Sequence, residues 1–71
     1  MTDKYKVIVD DECHRVMRDL GAAKEAVLEY LKAKPRCKVH IEGYHEVGGL
    51  PVMARYDYDA NTRQWSSRSL S

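Results

Sequence analysis

Three histidines and two cysteines are the residues of this 71-residue chain best suited to chemistry, and Cys37, His40 and His45 form their closest grouping. A zinc site needs four converging ligands, usually supplied by paired short-spaced motifs. Cys37-x-x-His40 has such a spacing, but on a strand positions 37 and 40 differ in parity and face apart. There is no Cys-x-x-Cys and no His-x-x-x-His to complete a set. The pattern therefore predicts no metal and no cofactor, with Cys37 in the core and His40 and His45 facing solvent. Nucleophilic catalysis needs a Cys or Ser beside a base that a third group orients. Cys13 and His14 are adjacent, so on a strand they also face apart. Gly48-Gly49 has no helix after it to hold a phosphate and reads as a turn. Asp57 and Asp59 share a strand face beside a turn and read as solvated. No catalytic constellation emerges, and the expectation is a protein that is not an enzyme.

Binding chemistry has more support. Arg55, Tyr56, Tyr58, Arg63, Trp65 and Arg68 interleave cations and aromatics, a pattern that can stack bases and reach phosphates. Against it, Asp57 shares a face with Arg55. The chain has five tyrosines, one tryptophan and no phenylalanine, so Tyr56 and Trp65 are also needed as core bulk. A nucleic-acid surface built on Arg55, Arg63, Trp65 and Arg68 is thus the alternative to a protein-binding surface. Tyr, Met and Arg are enriched at protein interfaces. Ile8, His40, Tyr44, Met53 and Arg55 are expected to share one uncovered sheet face that a protein partner could occupy.

The elements that would position these residues follow from periodicity. Residues 5–9 alternate, with Tyr5, Val7 and Val9 on one face. Asp10-Asp11-Glu12 suits a turn. Residues 13–18 read as a second strand in a hairpin with the first. The rival is an early helix start at Asp11, which Gly21 disfavours by about 1 kcal/mol. Ala23, Ala26, Val27, Tyr30 and Leu31 make one apolar stripe on a helix over about residues 21–34. Asp19 or Gly21 could cap it, and Pro35 ends it. Cys37, Val39 and Ile41 mark a third strand, with Gly43 read as a bulge. Val52, Ala54, Tyr56 and Tyr58 mark a fourth strand, a four-residue turn over 59–62 follows, and residues 63–67 make a fifth. The expected core is Tyr5, Val7, Val9, Leu20, Ala23, Ala26, Val27, Tyr30, Leu31, Val39, Ile41, Val52, Ala54, Tyr56 and Trp65. Residues 66–71 have little to pack and are expected to fray.

The expected fold is α+β: a single antiparallel sheet of about four to five strands with one helix packed on one face, in the order β-β-α-β-β-β. One domain over residues 1–71 is the expectation at this length. Such a chain buries only roughly 60% of its unfolded surface. A marginal core and an exposed edge strand leave monomer and homodimer equally open. Whether Cys13 and Cys37 bridge is not fixed by their spacing. Twelve basic residues face eleven acidic ones, so there is no strong electrostatic footprint for a phosphate backbone. Residues 1–20 hold no apolar run and no stretch nears the roughly 20 apolar residues of a membrane span. The expectation is a soluble cytoplasmic protein.

The run Tyr5-Lys6-Val7-Ile8-Val9, the alanine-rich helix, the run Lys38-Val39-His40-Ile41-Glu42 and the aromatic hairpin ending at Trp65 resemble small phage-encoded or mobile-element proteins. Some anti-CRISPR proteins and small phage inhibitors of host RNA polymerase share this strand-helix-strand layout. The resemblance covers most of the chain through order and size, and carries over no functional residue. It implies a non-enzymatic module that inhibits or regulates a larger host machine by occupying one of its surfaces.

Overall fold

The computed structural model describes residues 3–70. Five strands, β1 (Lys4–Val9), β2 (Glu12–Met17), β3 (Val39–Val47), β4 (Leu50–Asp59) and β5 (Gln64–Ser69), form one antiparallel sheet in the order β2-β1-β3-β4-β5. The single helix α1 (Leu20–Ala33) crosses between β2 and β3 and lies over β1, β2 and β3. The α+β order expected from the sequence is the one observed. No helix among the described residues is long and apolar enough to cross a membrane.

Two of the hairpins are closed by two-residue turns. Asp10 (φ 50°) and Asp11 (φ 68°) close β1–β2, and Gly48 (φ 58°) and Gly49 (φ 80°) close β3–β4. Positive φ at both central positions is the type I′ pattern, whose twist matches that of the strands. Asp10 also fixes the start of β3: its N–H donates to Lys38 O (2.8 Å) and its Oδ1 accepts from Lys38 N–H (3.0 Å). This clasp occupies Lys38, so β3 begins at Val39 rather than at Cys37. Pro51 is tolerated in β4 because it pairs with Glu46 on one side only. β5 reaches no further along β4 than Ala54 in the sheet ladder, and no N–H is needed beyond it.

Capping sets the helix bounds one residue earlier than the periodicity implies. Asp19 is extended and its Oδ2 accepts from Ala22 N–H (2.9 Å), the N-cap arrangement. At the other end Lys34 N–H donates to Tyr30 O, ahead of Pro35. The apolar stripe packs as expected: Ala23, Ala26 and Val27 join Tyr5, Val7, Val9 and Ile41 in the buried cluster. Leu20, Tyr30, Leu31, Cys37, Val39, Tyr56 and Trp65 pack against it, together with Met17, which the sequence did not single out. Val52 and Ala54 point to the helix side but stay half-buried outside the cluster, because α1 does not lie over β4.

Two local expectations need correction. Gly43 is not a bulge, since β3 runs in unbroken register against both neighbours. Gly43 instead makes room for rings: a Cβ there would stand 3.0 Å from Tyr56, 3.1 Å from His45 and 3.4 Å from Tyr5. The bulge lies in β2, where Val7 pairs with Arg15 and Ile8 with Cys13, leaving His14 unopposed. The C-terminal residues do not fray at 66. β5 pairs with β4 through Ser69, and Leu70 N–H donates to Met53 O (2.8 Å). Small serines suffice there because the ladder needs backbone and not bulk; Ser71 lies outside the described residues.

Candidate binding face

Strand parity decides which side chains share the face opposite the helix. The register builds three rows across the sheet: Lys4, Tyr44 and Met53; Val16, Lys6, Glu42, Arg55 and Arg68; and Cys13, Ile8, His40, Asp57 and Ser66. Nothing among the described residues covers these rows. All five residues assigned to an uncovered face, Ile8, His40, Tyr44, Met53 and Arg55, stand in them side by side.

The face is organised by hydrogen bonds between neighbours two apart on one strand. Glu42 is the hub on β3, with Oε2 3.2 Å from His40 Nε2 and Oε1 accepting from Tyr44 O–H at 3.1 Å. The His40 hydrogen bond, helped by Tyr44, holds the Glu42 carboxyl below the usual carboxylate range. Burial, and then the hydrogen bond to Glu42, pushes the Tyr44 phenol up. On β4, Arg55 Nε donates to both carboxylate oxygens of Asp57, at 3.0 and 3.2 Å. The Lys6 ammonium sits 4.9 Å from the centre of the Tyr44 ring, a cation–π contact. Ile8 and His40 are buried although no element lies above them; they stand opposite each other on the inner strands β1 and β3, flanked by Cys13 and Asp57. A shallow 260 Å³ hollow lies at the edge of the face between Lys4, Lys6, Tyr44, His45, Glu46 and Pro51. The role of Glu42 was missed from the sequence. Its signal was the i±2 spacing from His40 and Tyr44 on a single strand.

The alternative nucleic-acid set is divided. Arg55 and Arg68 face each other on the uncovered side, and Arg63 occupies the β4–β5 turn with φ 57°. Trp65 points to the helix side, where its ring lies 5.1 Å from that of Tyr58 and 5.4 Å from the Lys24 ammonium. No aromatic of the last hairpin thus stands among its arginines on the open face.

The candidate catalytic and metal residues are also dispersed. Cys13 lies on the open face with its Sγ 3.7 Å from Arg15 O, while the bulge turns His14 onto the helix side against the Tyr30 ring, 5.5 Å away. His45 lies on the helix side too, edge-on to Tyr5 and 3.3 Å from Asp3 Oδ1. His40, on the opposite face, is buried rather than solvent-facing. Among the described residues no three His, Cys, Asp or Glu side chains converge to hold a metal, and both cysteines are free thiols. Asp59 accepts from Asn61 N–H (2.9 Å), which folds the turn. Comparison with protein-family models, curated proteins and solved structures finds no match.

Proposed function

We propose that this chain is a non-enzymatic interaction module that binds a protein partner through the uncovered sheet face. One observation carries the reading: Ile8, His40, Tyr44, Met53 and Arg55 form a contiguous patch in which hydrogen bonds to Glu42 and Asp57 preorganise His40, Tyr44 and Arg55. Preorganised side chains lose little further freedom when a partner docks, and Tyr, Met and Arg are the types that concentrate binding energy. The likeness in layout to small phage proteins adds that the partner belongs to a larger host machine whose activity the module inhibits or regulates. Nucleic-acid binding ranks second, because Trp65 lies on the face opposite Arg55 and Arg68, Arg63 sits in the turn, and Asp57 already engages Arg55.

The test is affinity capture from lysate with and without nuclease, using the native chain, the double variant Met53→Asp/Arg55→Glu and a control on the outer face of the helix, Lys32→Glu. A stoichiometric protein that survives nuclease, is lost with the double variant and is kept by the control is the expected result. Retention by the double variant removes this face from the function. Capture that disappears with nuclease transfers the reading to nucleic acid.

A further inference from the structure

We propose that β5 is a dimerisation edge, pairing antiparallel with β5 of a second copy to make one continuous sheet. β2 and β5 are the two edge strands. β2 is guarded: it carries the His14 bulge and the charged residues Glu12 and Arg15. Bulges and charges are how proteins prevent edge-to-edge pairing. β5, with the sequence Gln-Trp-Ser-Ser-Arg-Ser, has no bulge, no proline, no lysine and one charge. The helix backbone packs over β1, β2 and β3 and reaches β5 only through the Lys24 side chain above the Trp65 ring, so it does not cover the outer backbone edge of β5.

Strand phase shows which groups the edge offers. Leu70 N–H donates to Met53 O, which makes that pair a hydrogen-bonded one. In an antiparallel ladder the two pair types alternate, so Arg55–Arg68, Asp57–Ser66 and Asp59–Gln64 are also hydrogen-bonded pairs. Trp65 and Ser67 then direct their backbone N–H and C=O groups away from β4, to the free edge. A two-fold axis at Ser66 sets Trp65 against the partner's Ser67 and Ser67 against the partner's Trp65, each pair hydrogen-bonding through the outward groups. It also sets Gln64 opposite the partner's Arg68. The one charge on the strand meets an amide carbonyl instead of its own copy, and the largest side chain meets one of the smallest. Shifting the axis to Trp65 would oppose the two tryptophans and shorten the overlap.

The register makes a sharp test. Ser66 faces the partner's Ser66 as a non-hydrogen-bonded pair, with Cα atoms about 4.5 Å apart, within disulfide reach. In the full chain carrying Cys13→Ser and Cys37→Ser, the added change Ser66→Cys should give a covalent dimer in a glutathione redox buffer. Ser67→Cys in the same background should not. Sedimentation velocity of the unmodified chain should show a dimer that dissociates on dilution. Ser67→Pro removes two symmetry-related hydrogen bonds and should weaken it by about tenfold or more. Because the Ser67 N–H points away from β4, that variant keeps its own sheet, as circular dichroism would verify; if it does not, the cysteine pair still decides. A chain that stays monomeric throughout, or Ser67→Cys cross-linking as readily as Ser66→Cys, overturns the proposal. Neither outcome touches the open-face reading, which rests on other residues.

Discussion

The sheet has two sides of different character, and a pair of isoleucines measures the difference. Ile41 is fully buried between the sheet and α1, flanked across the strands by Val7 and Tyr56. Ile8 is 8% exposed, nearly as hidden, but on the face that no element covers. Truncating either to alanine removes three carbons, a transfer loss of about 2.4 kcal/mol at roughly 0.8 kcal/mol per methylene. At Ile41 the void is enclosed by helix and sheet, so a cavity contribution adds to that loss and the total reaches about 3–4 kcal/mol. At Ile8 the void opens to water, the His40 and Lys6 side chains can close over it, and the cost stays at about 2 kcal/mol or below. A chain of this length has about 4–10 kcal/mol of stability in all, so Ile41→Ala should lower Tm by about 15–25 °C. Urea titrations followed by Trp65 fluorescence and circular dichroism would give both values, with Ile41→Val, at about 1 kcal/mol, as the milder check. Equal costs at the two sites would refute the argument, since both isoleucines would then lie in enclosed cores and the face described as open would be covered.

Two further outcomes follow from turn geometry and from ionisation. Asp11 holds φ 68° without being glycine, whereas Asp10 uses its carboxylate to grip Lys38, so Asp11→Gly should relieve the strain and keep the clasp. A gain of about 0.5–1 kcal/mol in a urea titration is expected, and a loss would show that the side chain at position 11 has a structural role. Glu42 is held below the ordinary carboxylate range, so its ionised form stabilises the fold. That contribution is complete above the unfolded-state pKa, near 4.5, and is lost as pH falls through the lower folded value. Stability measured from pH 6 downward should fall less steeply in Glu42→Gln than in the native chain; parallel curves would disprove the link.

Much of the architecture could be read from the residues because burial imposes a period. The alternation of Tyr5, Val7 and Val9, the stripe from Ala23 to Leu31 and the Gly48-Gly49 turn each show one dominant physical constraint. That same parity grouped Ile8, His40, Tyr44, Met53 and Arg55 on one face. What was misread depends on backbone or on distant neighbours. The bulge at His14 has no sequence mark, because one unpaired residue changes no composition. Gly43 looked like a bulge since a glycine in a strand signals either a backbone irregularity or a close approach, and only the rings of Tyr5 and Tyr56 decide between them. The left-handed residue of the last turn is Arg63, although Asn61 is the better intrinsic fit for that conformation. The burial of Ile8 and His40 depends on the strands paired on either side of them, which the pattern of one strand does not encode.

The strand order has a kinetic meaning. β1–β2, β3–β4 and β4–β5 each join strands adjacent along the chain, so these pairings need only short loops to close. The β1–β3 seam alone unites distant segments, across about 30 residues that include the whole helix. Closing a loop of that length costs about 3 kcal/mol of chain entropy before any contact repays it. The long-range strand pairing of the sheet is thus concentrated in one step. Asp10, reaching from the first turn to Lys38 at the start of β3, is the residue that latches the seam when the two hairpin blocks meet.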